Sequence, residues 1–201
     1  MRFRTPVVLV LSLVVTAAVA TLHGAAATRQ QADSLAKKIT MITQRGSQAP
    51  TSAVRRTEVS EDEVNSWFAF RGRPFLPEGV TNPAVTMIGD GTMRGVVTVD
   101  LEALGKRRGS GGALDIWSYL GGKVPVEVVG TLRAHDGRGQ FDLKSAEVAG
   151  VPVPKALVQE LVSVYASSPE DKKPISLDSS FDLPAKIRSI DVGRGQLVVV
   201  Q

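Results

Sequence analysis

The chain has 201 residues, enough for one sizeable domain or at most two small ones. Hydrophobic residues make up 43% and charged residues 22%, which excludes a disordered chain and a multi-span membrane protein. Beyond the N-terminal segment, 22 basic residues face 20 acidic ones, a net of +2 that makes no case for nucleic acid, and the absence of cysteine excludes disulfides, thiolate catalysis and Cys-ligated zinc.

Arg2 and Arg4 precede 24 residues without a charge, 5–28, whose apolar centre is VVLVLSLVV at 7–15. Small residues follow in two A-x-A patterns, Ala18-Val19-Ala20 and Ala25-Ala26-Ala27. Charge, apolar run and small residues in that order form a secretory signal, and 24 uncharged residues are also long enough for an uncleaved anchor. Both readings place residues 28–201 outside the cytoplasm, in the periplasm or on the outer face of the inner membrane. Segment 1–27 is therefore set apart from the rest.

Residues 28–45 repeat apolar side chains at Ala32, Leu35, Ile39 and Ile42, a helical spacing with a thin stripe. Gly46 to Ser52 reads as a linker, so 28–54 is expected to be a solvated helical stem. Ser60-Glu61-Asp62-Glu63 then opens the clearest helix of the chain. Ser60 and Glu63 form a capping box, Val59 and Val64 a hydrophobic staple, and Val64, Trp67 and Phe68 the expected buried stripe. Capping accounts for the three acids without invoking metal or acid–base chemistry.

From Val80 the period changes to two. Residues 84–88 and 92–104 form a hairpin around Gly89-Asp90-Gly91, with Val97, Val99, Leu101 and Ala103 on the apolar side. A basic glycine-rich loop, 106–112, and a short helix, 113–120, lead to a second hairpin, 123–134 with 140–148. Pro154 starts a helix over 154–166 whose arc includes Leu157, Leu161 and Tyr165. Strands at 175–183, 187–192 and 196–201 close the chain. Neighbouring strands of this kind predict an α+β fold, with a long antiparallel sheet made of hairpins and helices on one face.

The inventory for catalysis is thin. His135 sits beside a hairpin turn and no nucleophile motif accompanies it. Ser110 lies in RGSGG rather than in a nucleophile elbow, and Gly109 to Gly112 lack the Lys-Ser/Thr that ends a phosphate loop. No carboxylate spacing suggests a metal, so neither an enzyme nor a cofactor is expected. Lys106, Arg107 and Arg108 suit a solvated loop, or contact with anionic head groups.

Three stretches, SEDEVNSWF at 60–68, GVPVPKALVQEL at 150–161 and LPAKIRSIDVGRGQLVV at 183–199, resemble bacterial envelope proteins of the TULIP class, the tubular lipid-binding proteins also described as SMP-like or BPI-like. The resemblance covers about residues 55–201. It implies a long curled antiparallel sheet wrapped around one or two amphipathic helices, with an apolar groove for lipid tails and no catalytic residues. The residues themselves also suit binding: strands apolar on one side, amphipathic helices and no catalytic set. The expected lining is Trp67, Phe68, Val97, Val99, Leu101, Leu157, Leu161 and Tyr165. A lipid or acyl chain is the expected ligand, with the membrane surface as a further partner. The alternative is a scaffolding envelope domain that meets a protein partner and holds no ligand.

Overall fold

The computed structural model describes residues 26–49, 53–101, 122–159 and 179–201. Helix α1 (Arg29–Ser47) starts where the Thr28 hydroxyl accepts the Gln31 N–H at 3.2 Å. Strand β1 (Arg56–Ser60) runs directly into α2 (Glu61–Phe70), and a 3-10 turn, Arg73–Phe75, follows. Strands β2 (Val80–Gly89), β3 (Thr92–Asp100), β4 (Lys123–His135), β5 (Arg138–Val148) and β6 (Val151–Pro152) come next. Residues 155–159 are helical, one residue after Pro154. Strands β7 (Phe181–Asp182), β8 (Ser189–Val192) and β9 (Gln196–Val200) complete the described chain.

The fold is α+β, with a large antiparallel sheet built of hairpins in the order β2-β3-β4-β5-β6 and β7 added on β5. The single sheet expected from the sequence is divided in two. The closing hairpin β8–β9 pairs with β1, from Arg56 opposite Val200 to Ser60 opposite Gln196, and makes a separate three-stranded sheet. Period-two patterning marks strands but carries no information on which distant edge each one joins.

The main hairpins turn at Asp90-Gly91 and Asp136-Gly137, where φ is 52° and 77°, and 52° and 75°. Positive φ at both central residues matches the twist of the flanking strands. Gly91 also joins the two sheets. Its N–H donates to the Val192 carbonyl at 3.0 Å, and its carbonyl accepts the Leu132 N–H at 2.9 Å. A Cβ there would stand 2.9 Å from the Leu132 carbonyl oxygen, so both backbone conformation and close approach call for glycine.

Two apolar clusters result. Val99, Leu101, Val124 and Val148 are buried together, with Val97, Val126, Val153 and Leu157 half-buried around them. Ala134, Leu183, Ile187 and Val199 form the second, flanked by Ile42, Leu132, Ile190 and Leu197.

Ile42 belongs to α1, and this corrects the expectation of a solvated stem over 28–54. Ala32 and Leu35 are buried as well. Gly46 lies within α1 instead of a linker, so close to Ala185 that a Cβ would meet its backbone at 2.5 Å. The Gln201 Nε2 donates to the carbonyls of Ile42 and Ala185, at 2.9 and 2.7 Å. The docking escaped the periodicity because much of it is polar.

Its centre is Glu63, of which 7% is exposed. The capping box expected at Ser60 is present: Glu63 N–H donates to the Ser60 hydroxyl at 3.2 Å, and the Glu63 carboxylate accepts the Ser60 N–H at 2.9 Å. The same carboxylate accepts from the Ser34 hydroxyl at 2.6 Å and pairs with Lys38 Nζ at 2.7 Å. Burial, the largest influence, pushes the carboxyl up, but the donors of Lys38, Ser34 and Ser60 outweigh it and hold it below the usual range. A carboxyl depressed in the folded state stabilises the fold above its unfolded titration range, and that stability is lost as pH falls through the depressed value.

Glu63→Gln should therefore cost about 2 kcal/mol at neutral pH, from a lost charge-assisted pair and a weakened cap. The gap to wild type should close in acid. Urea unfolding at neutral and acid pH measures both; a gap that does not shrink in acid would contradict the assignment.

Candidate functional site

The expected lining residues do not form one site. Val97, Val99, Leu101 and Leu157 do come together in the first cluster, on the apolar side of β3, β4 and β5. Trp67 and Phe68 are not among the residues packed there; they sit on α2, half-buried. Leu161 and Tyr165 lie outside the described residues, as do Lys106, Arg107 and Arg108.

The expected buried stripe of α2, Val64, Trp67 and Phe68, is corrected by the structure. The buried positions are Glu63 and Ser66, and all three apolar residues are half-buried. The polar face turns inward because α1 meets it with polar partners. Besides Glu63, the fully buried Ser66 hydroxyl accepts the Thr28 N–H at 3.1 Å and donates to Gln31 Oε1 at 2.9 Å. The two helices are antiparallel: Thr28, at the start of α1, meets Ser66, while Lys38 meets Glu63 one turn nearer the start of α2.

The rest of the SEDEVN segment ties α2 to the open edge of β2. Asn65 brackets Val85 as another strand would: its Nδ2 donates to the Val85 carbonyl and its Oδ1 accepts the Val85 N–H, both at 2.8 Å. Glu61 Oε2 accepts the Met87 N–H at 2.6 Å. The Met87 carbonyl accepts the Gly195 N–H at 2.9 Å, and the Gly195 carbonyl accepts the Glu61 N–H at 2.8 Å. Side chains thus occupy an edge that would otherwise invite another strand. A motif that reads as a cap plus acids is a coupling between α1, α2 and β2.

On the outer flank of the helix pair lies an open apolar groove of about 470 Å³, lined by Ala36, Ile39, Trp67, Phe70, Pro74 and Phe75 with Arg71. Trp67 meets Phe68 edge-on at 5.4 Å between ring centroids and Phe75 in a tilted contact at 5.3 Å. Phe75 is 73% exposed and Phe70 45%. The sequence held a signal for this groove that composition averages away: of ten Phe, Trp and Tyr residues, four fall between 67 and 75.

A second cleft, of about 360 Å³, lies between the β2–β3 turn, β4 and β8, where Asp90, Arg133, His135 and Asp191 line it. His135 is exposed at the end of β4. Among the described residues no group of three or more His, Cys, Asp or Glu is placed to hold a metal ion. Among them also, no helix is long and apolar enough to cross a membrane. No family model, curated protein or solved structure matches the chain.

Asn65→Ala removes both bonds to the β2 edge and should cost about 2 kcal/mol, and Asn65→Asp, which keeps the acceptor but sets a carboxylate oxygen against the Val85 carbonyl, should cost at least as much. Chemical denaturation of the three proteins checks the order; equal midpoints would show that the bracket contributes nothing.

Proposed function

We propose that the protein is an exported, non-catalytic binder of an acyl chain or similar hydrophobic ligand, held on the apolar face of the larger sheet. One observation carries this reading. Val97, Val126, Val153 and Leu157 remain half-buried around the buried cluster of Val99, Leu101, Val124 and Val148. An apolar face ringed by partly exposed aliphatic side chains suits a ligand tail, whose burial contributes about 0.8 kcal/mol per methylene. Helix 155–159 enters over this face at Pro154, and Leu157 is its first half-buried contact there. In the sequence Leu161 and Tyr165 continue from Leu157 at intervals of four, as one helical face requires.

Two further features support the reading. The N-terminal order of charge, apolar run and small residues suits export to where free lipid occurs. The resemblance to TULIP-class envelope proteins points to the same chemistry; it implies a long curled sheet wrapped around helices, of which the larger sheet supplies the hairpin-built antiparallel part. No reacting group is needed: binding by tail burial asks only for shape and apolar surface.

Native mass spectrometry of the full chain, released from mild detergent, should show a non-covalently bound lipid that organic extraction recovers. Leu157→Trp keeps the site apolar but fills it; the variant should remain folded and lose the lipid, although overpacking itself costs about 1–3 kcal/mol. A wild-type protein with no bound lipid and no uptake of a fluorescent fatty acid would overturn the reading and leave the scaffolding role.

A further inference from the structure

The flank of the helix pair is a separate surface. Phe75 and Phe70 project there beside Trp67, Pro74 and Ile39, and nothing among the described residues covers them. Arginines edge it. The Arg29 guanidinium lies 5.5 Å from the centre of the Phe70 ring, Arg71 belongs to the groove wall, and Arg73 opens the turn that carries Phe75. Asp33 accepts from Arg71 Nε at 2.9 Å and also pairs with its terminal nitrogen. The surface thus combines exposed aromatic rings with three arginines, one of them paired to Asp33.

The chain order adds a direction. Thr28 is fixed to Ser66 and caps α1, so the last residue of the uncharged stretch 5–28 stands beside Arg29 at the edge of this surface. An apolar segment 7–15 held in a bilayer would tether this end of the helix pair close to the lipid. Aromatic rings with arginine neighbours suit the boundary between head groups and tails, where ring bodies sit in hydrocarbon and guanidinium groups meet phosphate.

We propose that the surface formed by Trp67, Phe70 and Phe75, edged by Arg29, Arg71 and Arg73, docks on an anionic lipid bilayer. It rests on the export part of the proposed function, with the uncharged stretch 5–28 kept as an anchor, and not on acyl-chain binding, for which the lining residues are different. Docking in this way holds the helix pair flank-down and leaves the apolar face of the larger sheet to take a ligand independently.

The test uses the full chain carrying Trp117→Phe, so that Trp67 is the only tryptophan. The protein is reconstituted in vesicles of phosphatidylcholine with about one third phosphatidylglycerol, and Trp67 emission is read against lipids brominated at shallow acyl positions and against aqueous iodide. Trp67 should be quenched by the brominated lipid and shielded from iodide. In Phe70→Ser with Phe75→Ser the lipid quenching should be largely lost, while the lipid retained in native mass spectrometry is unchanged. Arg29→Gln with Arg73→Gln should weaken docking by at least about fivefold on anionic vesicles, and much less on phosphatidylcholine alone. Free access of iodide in the presence of vesicles would overturn the proposal. So would shielding from iodide without lipid quenching, which would assign the groove to another occupant, such as the 7–15 segment of the chain or a second protein copy.

Discussion

The carboxylate of Glu63 is the constraint on which the arrangement depends. A carboxylate 7% exposed must find donors, and it takes them from three places at once: the Ser60 N–H at the start of its own helix, and Ser34 and Lys38 on α1. Losing any one leaves a buried charge short of partners. That asymmetry fixes where α2 begins and which face it turns to α1. Trp67 flanks the face that meets α1, and Phe70, one turn past Ser66 on that same face, lies beside Arg29 at the very start of α1 and stays exposed.

From this point the contacts spread without a gap. Ser66 holds the first residue before α1, and Asn65 and Glu61 hold the open edge of β2. The β2–β3 turn in turn bridges the two sheets through Gly91. Gly46 and Ile42 bring the far end of α1 against Ala185 and the second apolar cluster. Helix α1 therefore behaves as part of the folded body, and the surface at its start has a defined orientation to it.

Local signals in the sequence were legible where one short segment determines the outcome. The capping box at Ser60 and Glu63 and the Asp-Gly turns appear as read, because each depends on neighbours in the chain, whereas the strand read over 92–104 ends at Asp100 and Leu101 is helical. What the sequence hid depends on distant partners. Glu63 and Ser66 look like solvent-facing residues until Lys38, Ser34 and Thr28 are brought to them. The thin stripe of α1 looks like a stem until polar contacts and the close approach at Gly46 are counted. Pairing of β9 with β1 joins residues at the two ends of the domain, which no periodicity encodes. Of the expected lining, Val97 and Val99 on β3 and Leu101 just beyond its end pack in one cluster with Leu157, since alternation tells which side of a strand is apolar. Trp67 and Phe68 were misplaced because the inward face of α2 is set by polar chemistry.

These relations give the molecule two apolar surfaces of different character: an aliphatic one on the larger sheet and an aromatic, arginine-edged one on the helix pair. Their separation depends on α1 being locked to α2 through Glu63. Amide hydrogen exchange of the full chain, resolved over residues 32–44, tests that lock most directly. The account predicts protection in α1 comparable to that of β3 and β4, reduced strongly by Glu63→Gln while the larger sheet stays protected. Exchange of α1 at unfolded-peptide rates in the wild-type protein, with the sheet protected, would contradict it.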